Sequence, residues 1–283
     1  NQLNQIFMKQ IFTMALLFVA TASFSQQDAS HWKRKGNLNL LFNQSAFNKK
    51  WLGGGVSNIA GTLNFTYEFN YAKNNWTWDN RLAAAYGLTK IEDQSATKSE
   101  DRVEFQSVIG KKSGKNWFYS GVLNFKSQMA RGEDNEGNYI SHALSPAYLQ
   151  TGLGMLYKPS ENFKINIAPV TSKLILVDKQ FTNEGSSFGV GEGETSRFEL
   201  GTSINLYAKY EGLSNISFEN LLNLYSNYLE DAQNVDIDYT LNVVLTINNY
   251  LSTNISFQAI YDDNAIGDVQ VREVFGLGVN YDF

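Results

Sequence analysis

VREVFGLGVNYDF fills Val271–Phe283. Phe275, Leu277, Val279, Tyr281 and Phe283 fall on every second position, with Gly276, Gly278, Asn280 and Asp282 between them. A period of two puts all five large apolar residues on one side of a β-strand. Terminal residues of a domain ordinarily fray unless a neighbour pairs with them. A strand pattern held as far as Phe283 therefore predicts that this segment is paired inside a larger sheet.

The same period runs through the rest of the chain. In VDIDYTLNVVLTIN, Val235, Ile237, Tyr239, Leu241, Val243, Leu245 and Ile247 oppose Asp236, Asp238, Thr240, Asn242 and Thr246. In LNFTYEFNY, Leu63, Phe65, Tyr67, Phe69 and Tyr71 oppose Asn64, Thr66, Glu68 and Asn70. No stretch of comparable length carries a helical period. Twelve strands are expected: 37–47, 57–72, 76–90, 101–112, 117–130, 146–158, 162–177, 195–211, 215–229, 235–249, 251–262 and 271–283. The seventh contains Pro169, which removes a ladder donor and predicts a bulge or an early end.

The segments between the strands alternate in length. AKNN, SGKN, KPSEN, EGLS and NNYL are tight and rich in turn residues. TKIEDQSATKSED, RGEDNEGNYISHALS and DKQFTNEGSSFGVGEGETS are long and polar. Short turns at one end and long loops at the other are the layout of an outer-membrane barrel. Tyr71, Trp76, Trp78, Trp117, Tyr119, Tyr157, Phe163, Tyr210, Phe218, Tyr250, Tyr281 and Phe283 flank the short-turn end, where an interfacial aromatic girdle belongs. The competing reading is a soluble sandwich or lipocalin-like barrel, which alternates equally well. Loop asymmetry, girdle and an export signal together favour an all-β fold, a transmembrane antiparallel β-barrel of twelve strands.

That export signal is MKQIFTMALLFVATASFSQQ. Lys9 supplies the charge, Ile11 to Ala22 the short apolar run, and Ser23 and Ser25 the small residues before a cut. Met8 is the expected start. Residues 1–25 are expected to be upstream residues plus a secretory signal peptide, 26–36 a short periplasmic segment, and 37–283 one barrel. Composition agrees with this. The mean hydropathy of −0.30 is too polar for a helical membrane bundle, but a barrel exposes only alternate residues to lipid. A net charge of −5 without a basic cluster argues against nucleic acid as a partner. The chain has no cysteine, and His31 and His142 are its only histidines, so no cofactor and no metal centre is expected.

Two resemblances accompany these residues. The alternate row Phe275, Leu277, Val279, Tyr281 and Phe283 resembles the β-signal of outer-membrane proteins. That resemblance implies recognition of the strand by the barrel-assembly machinery. The end of the signal, SFSQ, with WLGGG and NWTWDNRLAAAYG, resembles a Bacteroidota family of outer-membrane barrels described as a domain of unknown function. It implies a lineage and no activity.

The polar faces supply the candidate functional residues. Glu68, Asp79, Arg81, Glu104, Lys126, Lys164, Arg197, Glu199, Lys209, Glu219, Asp236 and Asp238 are expected to point into the lumen. They are either a channel lining or a packing of ion pairs; the mixed signs favour a narrow or filled lumen. FGVGEGE lacks the lysine and the strand-to-helix setting of a phosphate loop. The acidic segments RGEDNEGN, NYLEDAQNVDID and YDDNAIGD read as solvated loop tips rather than a calcium site. His142 with Ser141 and Ser145 lacks demonstrated triad geometry, and no enzyme is expected. The expected function is a small passive pore or transport-related barrel, contacting outer-membrane lipid. The alternative is an accessory barrel that binds envelope protein partners; an envelope hydrolase ranks third.

Overall fold

The computed structural model describes residues 31–48, 55–134 and 137–283. The signal-peptide expectation falls outside them, as does most of WLGGG. The strands are β1 (Trp32–Ser45), β2 (Asn58–Lys73), β3 (Trp76–Ile91), β4 (Thr97–Lys112), β5 (Trp117–Ser127), β6 (Gly132–Glu133), β7 (Tyr139–Ser141), β8 (Ala147–Ser160), β9 (Phe163–Leu176), β10 (Ser196–Leu213), β11 (Ile216–Asn227), β12 (Asp236–Thr246), β13 (Leu251–Tyr261) and β14 (Gln270–Asp282). All but β6 and β7 form one closed barrel, in which each strand pairs antiparallel with its sequence neighbour in the wall and β14 returns to β1. The small β6–β7 pair lies within the 128–146 connection.

The barrel is apolar outside and polar inside. Leu40, Leu63, Leu153, Phe198, Phe275 and Leu277 are exposed, whereas Asn39, Thr62, Ser120, Asn166, Glu199 and Ser252 are buried. Water would oppose that arrangement across the whole outer wall, and hydrocarbon favours it. Closure also leaves no unpaired edge to desolvate. The fold is thus a transmembrane antiparallel β-barrel, and its wall strands of 11–18 residues meet or exceed the ~9–11 needed to cross a bilayer.

The two ends differ as the turn chemistry predicts. One end holds the short connections 74–75, 113–116, 161–162, 214–215 and 247–250. Asn74 takes the left-handed conformation that a two-residue hairpin turn requires (φ 54°). The other end holds 46–57, 92–96, 128–146, 177–195, 228–235 and 262–269.

Some boundaries depart from the sequence reading. Strand β1 begins at Trp32 rather than 37, because Trp32–Lys35 continue the ladder opposite Glu68–Tyr71. Most of TKIEDQSATKSED is strand rather than loop. Leu88 and Thr89 pair with Lys98 and Thr97, which leaves only 92–96 as a turn. The hairpin is polar there, so composition resembled a loop while the backbone kept pairing.

Pro169 sits at a bulge, not at a strand end. Gly201 pairs with Thr171 and Ser203 with Ala168, so two residues of β9 oppose one of β10. The β8 side shifts as well, between Leu153 and Met155. Gly154 occupies this shift, and a Cβ there would overlap the Ile167 carbonyl oxygen.

The seam between β1 and β14 runs from Asn37–Asp282 to Phe42–Leu277. On its inner face, Asn37 donates to Asp282 (2.7 Å) and Asn39 to Asn280 (2.6 Å). On its outer face lie Phe275, Leu277, Val279, Tyr281 and Phe283, between 44% and 62% exposed.

Candidate functional site: an ion-paired lumen

The inward side chains meet in groups along the barrel axis. Nearest the short turns, Asp79 of β3 accepts from Lys158 of β8 (2.9 Å) and pairs with Lys164 of β9 (2.8 Å). Glu68 pairs with Lys35 (3.1 Å), directly opposite it on β1. Lys209 pairs with Glu211 on its own strand (2.5 Å).

Arg81 of β3 reaches Glu219 of β11 at 3.2 Å. These strands lie six places apart around the wall in either direction, so the pair joins opposite walls of the lumen. Twelve strands ~4.8 Å apart and tilted ~40° would make a circle about 24 Å across. An extended arginine and glutamate together cannot bridge that distance, so the section is flattened along the β3–β11 line. A cavity of about 270 Å³ lies on one side, lined by Gln106, Asn124, Asn166 and Asn205. A larger one of about 1030 Å³ lies on the other, lined by Asn64, Asn242, Asn254 and Asn280. The larger reaches the short-turn end at Asn248 and Asn249.

Further along, Lys126 of β5 pairs with Asp238 of β12 across the lumen and lies 4.0 Å from Glu104. Arg102 joins Glu104 to Glu100, and Arg272 of β14 pairs with Glu100 of β4, four places away around the wall. Buried Lys173 lies 2.9 Å from Asp236, 3.5 Å from Glu199 and 3.6 Å from Asp262. Arg197 also pairs with Glu199 (2.9 Å). Thus Arg81–Glu219, Lys126–Asp238 and Arg272–Glu100 each join strands that are not neighbours.

The loop end is tied over. Arg197 donates to the Gly189 carbonyl, Glu230 and Asn264, and so joins the connections 177–195, 228–235 and 262–269. Ile175, Val177 and Val190 form a small core with Tyr148, Phe181 and Phe188. His142 lies beside this core. Its Nδ1 meets the Ala143 carbonyl and its Nε2 meets Asp178 (3.2 Å), so neither nitrogen addresses Ser141 or Ser145. Ser145 Oγ instead accepts from the Asp178 backbone N–H. Asp178 is exposed. Hydrogen bonds from the Gln180 backbone and His142 hold its carboxyl below its usual value.

Asp236, Asp262 and Asp263 bring carboxylate oxygens within 4.8 Å of one another. Two acidic segments read as solvated loop tips therefore converge. The Lys173 ammonium already supplies a cation beside two of these carboxylates.

Several members of these groups were absent from the sequence-based set: Lys35, Glu100, Arg102, Lys158, Lys173 and Arg272. Glu100 and Arg102 share the parity of Glu104, so alternation alone contained them. Lys173 did not follow that rule. It lies an odd number of residues from Lys164, and only the bulge at Pro169 turns both to the same face.

A family model described as a protein of unknown function (DUF3078) matches residues 42–132. No curated protein matches the chain in sequence. Among solved structures, an outer membrane channel from Pseudomonas putida F1 is 8% identical with a TM-score of 0.39, the alignment covering 91% of this chain and 99% of that one. The NanC porin is 10% identical with a TM-score of 0.39, covering 87% of this chain and 98% of that one.

Proposed function

We propose that the protein is an outer-membrane barrel that passes ions and small polar solutes through a narrow, hydrated lumen. One observation carries this reading. Most of the charged side chains that cross the lumen keep partial contact with the cavities: Arg81 is 20% exposed, Glu219 18%, Arg272 29% and Lys126 34%, while Glu100 and two nitrogens of the Arg81 guanidinium are buried. A dry, packed barrel would bury such groups, at a desolvation cost that pairing rarely recovers in full. Here the pairs border the cavities on one side and restrict the width of the lumen, with both signs alternating along the path. Selectivity between anions and cations is accordingly weak.

The test is conductance in planar bilayers. Small steps are expected from the wild type, and larger steps from Arg81→Ala/Glu219→Ala, which removes the bar across the narrow axis. No conductance from either protein would reject the pore.

A second reading is favoured by the loop end, where Arg197 ties three connections into one surface. An accessory barrel would use such a surface to hold an envelope partner. Purification in mild detergent separates the two readings: stoichiometric recovery of a second protein supports this one.

In either reading we place assembly in the hands of the barrel-assembly machinery. It would read the row Phe275, Leu277, Val279, Tyr281 and Phe283, and deletion of Phe283 should impair assembly in cells.

A further inference from the structure

We propose that the outer face of β1–β4, at the short-turn end, is a binding site for the headgroup of an anionic glycerophospholipid. The inference rests on the membrane reading of the barrel. The ladder registers lay out the patch. Lys73 of β2 lies opposite Trp76 of β3, which lies opposite Lys111 of β4, which lies opposite Tyr119 of β5. One row further into the wall, Trp32, Tyr71 and Trp78 face one another on β1, β2 and β3. Their rings touch, with the Trp32 centroid 5.2 Å from Tyr71 and 5.7 Å from Trp78. Arg34 lies opposite Phe69 in the next row.

Three cations therefore stand on the lipid-facing side, set among exposed aromatic rings. Lys111 Nζ sits 5.7 Å from the Trp76 ring centre. Among the described residues, no carboxylate pairs with Arg34, Lys73 or Lys111. Glu68 and Asp79, the acidic residues of β2 and β3, point inward and are paired there. The remaining short-turn girdle positions on β8 to β14 carry Tyr157, Phe163, Tyr210, Phe218 and Tyr281, none of them charged.

Lipid-facing cations extend toward the interface and seek anions there. Tryptophan and tyrosine fix that level, because their rings suit both acyl chain and headgroup. A lipid phosphate lying across Lys73, Trp76 and Lys111 would meet two ammonium groups, and Arg34, two rows further into the wall, would add to the positive potential of the sector. A net charge of +3 on one sector selects a headgroup with net negative charge over a zwitterionic one.

Native mass spectrometry of the full barrel in mild detergent, with equal phosphatidylglycerol and phosphatidylcholine, tests the proposal. Preferential retention of phosphatidylglycerol is expected, falling about fivefold for each cation removed in the series Arg34→Gln, Lys73→Gln, Lys111→Gln. Millimolar inorganic phosphate should not displace the lipid; displacement would overturn the lipid assignment. Equal retention of the two lipids by wild type, which needs no variant to fold, would overturn the proposal. So would loss of preference in Lys33→Gln/Lys35→Gln, at the lumen mouth, with no loss in the outer-face series. Failure of wild type to insert into vesicles of either lipid would reject the membrane reading itself.

Discussion

Gly36 and Phe283 close the barrel. Each donates its backbone N–H to the other's carbonyl, at 2.7 and 3.0 Å. The Phe283 ring lies over Gly36, where a Cβ would overlap it. A glycine leaves a gap in the outer wall, and an aromatic ring from the neighbouring strand covers it. The ring also stacks on Tyr67 and Tyr281, with centroids 6.3 and 5.8 Å away.

This seam gives the first prediction. Phe283→Ala loses two ring contacts worth about 0.5–1.5 kcal/mol each. Gly36→Val drives the ring off its seat, an overpacking cost of about 1–3 kcal/mol. Both should lower the urea midpoint of the refolded barrel, read by heat-modifiable migration on gels. An unchanged midpoint for Gly36→Val would show that the seam tolerates a side chain there.

The bar across the lumen gives the second. Glu219→Ala leaves the Arg81 guanidinium without its partner, whereas Arg81→Ala/Glu219→Ala removes both charges. The single change should cost about 1–3 kcal/mol, discounted because both groups keep some water, and the double change less than the sum. A double-mutant cycle on unfolding midpoints measures the coupling; strict additivity would mean that the pair contributes nothing.

The bulge gives the third. Gly154→Val places a branched side chain against the Ile167 carbonyl at the register shift. Relief requires the bulge to move, which would turn Lys173 away from Glu199. The yield of folded barrel should fall sharply, while Gly114→Ala, where a Cβ makes only an ordinary contact with Trp117, should leave it unchanged.

The buried lysine gives the fourth. Lys173→Met leaves Glu199, Asp236 and Asp262 without their shared cation. The variant should be less stable and should regain stability with millimolar calcium, whose oxygen preference suits the clustered carboxylates of Asp236, Asp262 and Asp263. Wild type should gain less from calcium. Thermal melts with and without calcium make the comparison, and equal responses would reject the role given to Lys173.

Asp178 gives the fifth. Its carboxyl is held below the usual value of 3.8 by the Gln180 backbone N–H and by His142. A depressed folded value means that the contribution is present above the unfolded value and is lost as pH falls through the folded one. The 177–195 connection should therefore loosen only below about pH 4, close to the reference carboxylate value. Hydrogen exchange across a pH series reads this. In Asp178→Asn, the acid-induced step should vanish.

The strand number, the antiparallel order, the unequal ends and the face to which most residues belong are all legible in the order of the residues. Period-two alternation and turn chemistry are local properties, legible a few residues at a time. VREVFGLGVNYDF carried its whole outward row in its own spacing. Which inward charges meet depends on how the closed barrel folds. Arg81 and Glu219 are 138 residues apart, and nothing local to either names the other. Their pairing depends on strand count, register and flattening of the section together. Lys173 shows the same limit on a smaller scale. One bulge beside Pro169 reverses the parity of the rest of β9, and a two-residue period cannot reveal where the chain slips by one.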